Sequence, residues 1–299
     1  MKHSESNKLI VILGATASGK TGLAIKLAQK YNGEIISADS RQIYKQMTIG
    51  TAKPTKDETD TIKHHLIDCE KPNHNFSLAE FIKKANRRIR SIQIRGKIPF
   101  LVGGTGLYIS AIVDNYDLPK GKIDMGLRKR LENKSKAELL EYLDELDPDT
   151  AATIDKDNPR RLIRALEYVI INKKSFSKNQ QRNNSPYNIL QIGISLDQSE
   201  LNKRIELRTE QMINHGLVQE TTKLIKKYDE TLPSLNTIGY QEIIQYLNNE
   251  IDLIKAIELI KIHTRQYAKR QMTWFKRDKK IHWIEFQWQA DSLVNKFLS

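Results

Sequence analysis

The sequence predicts an α/β fold: a mostly parallel sheet flanked by helices and interrupted by a helical insertion. Three observations predict it. Strand-like and helix-like segments alternate from Leu9 to Leu118. The first apolar run ends in a glycine-rich turn that opens a helix. From Pro119 to Pro186 the pattern turns charged and helical, with no strong strand.

Leu9-Ile10-Val11-Ile12-Leu13 is a continuous apolar run closed by Gly14, the pattern of a strand buried on both faces. Leu23, Ala24, Leu27 and Ala28 then share one face of a helix over 21–31, as a 3.6-residue period requires. Glu34–Ala38 reads as a second strand, giving a βαβ start. Ser77 with Glu80 three residues on is a capping box, and its helix carries Leu78, Phe81, Ile82, Ala85, Ile89 and Ile92 on one side. Ile98–Val102 is the next strand, running into Gly103-Gly104-Thr105-Gly106. Prolines at 119, 148, 159 and 186 punctuate the region that follows. The expected division is therefore a core of 1–118 plus 187–299 and a helical insertion of 119–186. Ile189–Ser195 returns to the sheet, helical stretches are expected over about 199–228, 239–247 and 252–275, and His282–Glu285 is a candidate last strand.

At 299 residues the chain is long enough for two domains and needs neither disulfides nor a structural metal to bury a core. Its densest apolar stretches, such as Leu9–Leu13, fall far short of the ~20 residues that span a bilayer. Residues 1–5 lack the apolar core of a secretory signal. The single cysteine, Cys69, can form no internal disulfide, excludes zinc sites built on cysteine pairs, and suits a reducing cytoplasm. With no sustained heptads, a monomer is expected. Lys and Arg number 49 against 36 Asp and Glu, a net charge of +13. The excess is clustered: seven bases and no acid over Lys83–Lys97, four and no acid over Lys173–Arg182, and eight against Asp278 alone over Lys261–Lys280. Such runs are the electrostatic footprint of a polyanion. Tyr267, Trp274 and Phe275 in the last run add rings on which bases stack, which makes nucleic acid the leading partner.

Gly14-Ala15-Thr16-Ala17-Ser18-Gly19-Lys20-Thr21 fits G-x-x-x-x-G-K-[ST] between a buried strand and a helix. There, backbone N–H groups converge on a polyphosphate at a helix N-terminus. Lys20 adds a point charge, and the Thr21 hydroxyl can ligate Mg²⁺. Asp39-Ser40-Arg41-Gln42 follows the second strand and Thr105 the strand at 98–102; ligands in open α/β sheets bind beyond these strand ends. A phosphate loop ordinarily belongs to a kinase or NTPase, which carries a second metal-binding carboxylate at a strand end. Here that strand ends in Gly-Gly-Thr, and Asp68 is the only loose substitute. The cradled group is then either ATP or a diphosphate leaving group.

Further blocks accompany these: Asp39–Tyr44, Thr48–Pro54, His64–Asp68, Phe76–Phe81, Gly103–Tyr108, Asn158–Glu167, Gly239–Glu242 and Thr264–Gln271 with Thr273, Trp274 and Phe275 behind. Together they resemble the bacterial tRNA dimethylallyltransferases over nearly the whole chain. Ala15 departs from the proline usual there, and the bacterial type, without the zinc-finger extension of eukaryotic relatives, is expected. The resemblance implies a P-loop NTPase-like core and transfer of a dimethylallyl group from its diphosphate to the exocyclic amine of the adenosine 3′ of the anticodon, in tRNAs reading codons that begin with U. It implies Gly14–Thr21 with Mg²⁺ on the diphosphate, Asp39 as general base and Thr105 orienting the amine. Arg204 and Arg208 are candidates for the far side of the diphosphate. For tRNA, the anticodon stem-loop above all, the expected contacts are Asp39, Ser40, Arg41, Gln42 and Thr105 beside the base. Arg128, Lys178, Gln181 and Arg182 are expected in the insertion, and Arg265, Lys269, Arg270 and Trp274 in the long helix. A small-molecule or nucleotide kinase using ATP is the alternative.

Overall fold

The computed structural model describes residues 7–116, 118, 124–177 and 184–299. They form two compact units: the residues up to Val113 together with Ser185–Ser299, and Asp114–Asn184. The first unit opens with β1 (Lys8–Gly14), α1 (Lys20–Lys30), β2 (Gly33–Ser37), α2 (Lys56–Thr61), β3 (His64–His65), α3 (Leu78–Ile94), β4 (Ile98–Gly103) and α4 (Gly106–Val113). The second unit holds α5 (Met125–Glu132), α6 (Lys136–Leu146), α7 (Pro148–Thr153) and α8 (Pro159–Asn172). The first then resumes with β5 (Asn188–Ile194), α9 (Gln198–Asn214), α10 (Leu217–Ile225), α11 (Tyr240–Leu247), α12 (Leu253–Phe275), β6 (Ile281–Ile284) and α13 (Gln287–Leu298).

The six strands make one sheet in the order β3-β2-β4-β1-β5-β6, every pair parallel. β1 lies between β4 and β5, with Ile12 opposite Val102 on one side and Ile192 on the other. Its apolar run is continuous because both faces are covered. Leu9, Val11 and Leu13 enter the core shared with α3, α4, α11 and α12, and Ile10 and Ile12 enter the core shared with α1 and α13. This is the period-2 alternation of a strand. Strands β2 and β4 lie to one side of β1 and β5 and β6 to the other, so the carboxyl end of β1 is a topological switch point, where α/β sheets open a crevice.

The helical stretch expected over 199–228 is two helices. Gly216, at φ 95°, sits between α9 and α10, and a left-handed residue at that point ends one helix and turns the chain into the next. In the second unit, Pro148 and Pro159 begin helices rather than break them. Each stands in the first turn behind a capping side chain, Asp147 or Asn158, where its missing N–H costs nothing. Leu127, Leu131, Leu139, Leu143, Leu162 and Leu166 pack the centre of that unit. Asp147 also accepts from Ser175 Oγ at 2.9 Å and Phe176 N–H at 2.7 Å, which ties the segment after α8 to the start of α7. Among the described residues no helix is long and apolar enough to cross a membrane.

Candidate active site

The turn from Gly14 to Lys20 is shaped for an anion by its backbone. Ala17 has φ 60° and Gly19 φ 90°, and alternation of this kind points successive N–H groups inward. The Ser18 hydroxyl is buried with no hydrogen-bond partner among the described residues. Lys20 Nζ turns back to donate to the Ala15 carbonyl at 2.5 Å. Burial lowers the Lys20 pKa to about 7, with Arg208 adding to the effect and Asp39 opposing it. Arg208 is itself pushed down by burial and held up only by Asp39, and it forms no ion pair among the described residues. Two cations with so little compensation in one cavity make a site that favours an anion.

That cavity lies at the carboxyl ends of β1, β2 and β4. It is lined by Thr16, Lys20 and Thr21 from the loop and by Asp39, Arg208, Tyr267 and Gln271 opposite. Asp39 Oδ1 accepts the backbone N–H of Arg41 at 2.8 Å and of Gln42 at 3.3 Å, an Asx turn that fixes the carboxylate; Oδ2 has no such partner among the described residues. Thr105 Oγ1 accepts the Ser40 N–H at 3.1 Å, so the end of β4 and the turn after β2 are braced together.

Two residues on α12 complete the wall, and neither was singled out for this place in the sequence. Gln271 accepts the Thr16 N–H at 2.8 Å and donates to the Gly104 carbonyl at 2.8 Å, joining the anion loop to the end of β4. A Cβ on Gly104 would come within 2.3 Å of Gln271 Nε2, so only glycine admits the bridge. Tyr267, expected as a ring for stacking, instead reaches Thr105 and Gln271 with its hydroxyl; burial, then Asp39, pushes its pKa up to about 12. The signal available was period: Tyr267, Gln271 and Phe275 recur every four residues.

The other expected residues are placed unevenly. Arg204 joins Lys20, Thr21 and Arg208 in a groove beside the loop, where Glu200 accepts from its Nε at 2.7 Å. Gln42 is a brace: it accepts from Ser37 Oγ and donates to the Ala52 carbonyl at 3.1 Å. Arg41 is tied to the Pro233 carbonyl. Lys269, Arg270 and Trp274 line an open groove along α12, and Arg265 pairs with Glu206. Arg128 is held in a two-pronged pair by Glu167. Lys178, Gln181 and Arg182 lie outside the described residues. Asp68, the substitute metal carboxylate, is 2.6 Å from Lys53 Nζ and committed to it. His64 lines the cavity while His65 pairs with Glu34 at 2.7 Å, and among the described residues no three His, Cys, Asp or Glu gather as a metal cluster.

The fold and this site define a P-loop enzyme whose anion cradle shares one cavity with a carboxylate. A family model described as "IPP transferase" matches residues 42–278 and one described as "Isopentenyl transferase" matches 7–75. The tRNA dimethylallyltransferase of Acetivibrio thermocellus is 45% identical over 98% of this chain and 96% of its own length, and that of Geobacter metallireducens 41% over 99% and 98%. Among solved structures, the tRNA isopentenylpyrophosphate transferase of Bacillus halodurans matches with a TM-score of 0.75 at 38% identity, covering 98% of this chain and 97% of that one. A eukaryotic dimethylallyltransferase acting on tRNA matches with a TM-score of 0.81 at 29% identity, covering 97% and 77%. The chain belongs to the tRNA dimethylallyltransferase family, and is thus a prenyltransferase.

Proposed function

We propose that this chain transfers the dimethylallyl group of dimethylallyl diphosphate to the exocyclic amine of the adenosine 3′-adjacent to the anticodon, in tRNAs reading codons that begin with U, releasing diphosphate. The observation that carries the reading is the single cavity in which Lys20 and Thr21 face Asp39 and Arg208. The inward N–H groups of Gly14–Thr21, with Lys20 and Arg208, hold the diphosphate, and Arg204 meets it from the groove beside the loop. As the amine nitrogen bonds to the allylic carbon, the C–O bond breaks and its electron pair leaves with the diphosphate. Cations already fixed around those oxygens stabilise the charge that gathers there. The proton released from nitrogen passes to Asp39, whose Oδ1 is anchored and whose Oδ2 is free to take it. Thr105, held by the Ser40 N–H, orients the amine.

Mg²⁺ is the implied cofactor, and the residues fit it. Thr21 offers a hard hydroxyl oxygen on the cavity wall, and Mg²⁺ usually takes one or two protein ligands and leaves the rest to phosphate oxygens and water. When bound it would help neutralise the leaving diphosphate.

An adenosine in a tRNA loop must leave its stack to enter such a cavity. Ser40, Arg41 and Gln42 are assigned beside the base, with Gln42 on the cavity wall. The insertion, through Arg128, Lys178, Gln181 and Arg182, and α12, through Arg265, Lys269, Arg270 and Trp274, take the anticodon stem-loop. The setting is a cytoplasmic monomer, in keeping with one unpaired, exposed cysteine. A kinase finds no support in the site, since β4 ends without a carboxylate and Asp68 is occupied. The test is mass spectrometry of tRNA nucleosides after incubation with dimethylallyl diphosphate and Mg²⁺. A dimethylallyl mass increase on adenosine is expected; consumption of ATP with unmodified tRNA would overturn the reading.

A further inference from the structure

One of the three basic runs has no place in the site just described. Lys83, Arg87, Arg90 and Ile94 fall within ~60° of arc on α3, at about 100° per residue, and all four are exposed. They form a single stripe roughly 16 Å long at ~1.5 Å per residue. The opposite side of the helix, with Phe81, Ala85, Ile89 and Ile92, is buried in the core.

The carboxylates that reach α3 are taken up beside the stripe rather than on it. Glu70 pairs with Lys84 at 2.5 Å, and Glu80 meets His74 at 2.9 Å. Glu34 meets Arg95 at 2.6 Å and Lys97 at 3.2 Å. Lys83, Arg87 and Arg90 have no ion-pair partner among the described residues; Arg90 reaches only the Tyr187 hydroxyl. Three uncompensated cations, a helical turn apart on a rigid helix, are left facing solvent.

We infer that this stripe of α3 is a second RNA contact, a row of charges that holds the sugar-phosphate backbone of the bound tRNA away from the reacting base. The inference rests on the proposed function for the identity of the RNA. α3 follows β3 and precedes β4, so it starts at the carboxyl ends of the strands, where the cavity lies, and runs away from it. Lys83 stands near the start and Arg90 two turns further. A membrane surface fits less well, because the apolar side that a surface helix would insert is already buried and Ile94 alone is exposed. An acidic protein partner fits less well too, since the stripe lacks the aromatic anchors that centre such interfaces.

The test measures tRNA affinity against salt for the intact protein and for a Lys83→Gln, Arg87→Gln, Arg90→Gln triple variant. Three lost phosphate contacts should weaken binding about tenfold and reduce the slope of log affinity against log salt by about two units. Turnover at saturating tRNA, and the KM for dimethylallyl diphosphate, should stay as in the parent. A charge-keeping variant, Lys83→Arg with Arg87→Lys and Arg90→Lys, should bind as the parent does. Parent-like affinity and salt slope in the triple Gln variant would overturn the surface and leave the functional reading standing. A parent protein that binds no tRNA would sink both. Loss of binding to phosphatidylserine vesicles with tRNA affinity intact would reassign the stripe to a membrane.

Discussion

Lys20 closes the anion loop on itself, its ammonium resting 2.5 Å from the carbonyl oxygen of Ala15. A carbonyl offers only a dipole in place of a counter-charge, so burial wins and the pKa falls to about 7. A bound diphosphate supplies the missing charge and raises it again. Binding between pH 7.5 and 9 should therefore take up protons and tighten as pH falls. Calorimetry in buffers of different ionisation enthalpy measures the uptake, and Lys20→Arg should abolish it. Stability runs the other way. Unfolded lysine keeps its proton to about pH 10, so this residue's destabilisation is fully present below pH 7 and fades as pH rises toward 10. Parent protein should gain on Lys20→Met over that range in thermal melts.

Asp39 combines two tasks that one substitution separates. Asn retains an oxygen for the Arg41 and Gln42 N–H groups and so keeps the turn, but cannot take a proton. Asp39→Asn should lower kcat by about 10²–10⁴-fold with tRNA affinity nearly unchanged. Parent-like turnover would remove Asp39 from the role of base.

Gln271 should act through the groups it positions. Gln271→Leu strands the Thr16 N–H and the Gly104 carbonyl in a buried place, at about 1–3 kcal/mol. It should raise the KM for dimethylallyl diphosphate and lower kcat together. Gln271→Glu keeps the acceptor for Thr16 but sets a carboxylate against the Gly104 carbonyl. That carboxylate also lines the anion cavity, so steady-state kinetics should show the KM for dimethylallyl diphosphate raised and kcat low in this variant too.

Glu220 anchors the loop that supplies Ala52 and Pro54 to the cavity wall. Its carboxylate accepts the N–H groups of Thr48, Ile49 and Gly50 at 2.9–3.2 Å and the Tyr240 hydroxyl at 2.6 Å. Glu220→Ala should destabilise the protein by about 1–3 kcal/mol, a drop of roughly 2–10 °C in Tm at this size.

Much of the frame was legible because its signals are local. β1 announces itself as an apolar run because both faces are covered, and Ser77 with Glu80 marks the start of α3 by chemistry that spans three residues. The turn at Gly14–Lys20 is likewise read from eight consecutive positions. What escaped depends on distance or brevity. β3 is two residues long and has no period to detect. α4 is buried over most of its surface, so no amphipathic stripe shows. α13 fully buries only Ala290 and Val294, while its Trp288 is exposed, so its apolar residues mark no clean stripe. The bridge from Gln271 to Thr16 crosses 255 positions; period can say which way Gln271 faces but not what it meets. Arg128 and Gln42 read from the sequence as RNA contacts, and only the fold reveals that Glu167 and the Ala52 carbonyl brace them from behind.

The two flanks of the sheet end in stubs, β3 with two residues and β6 with four. A flank that brief exposes few unsatisfied main-chain groups, too few to template a strand from another molecule. Brevity at both edges thereby works against fibril-like, strand-to-strand self-association.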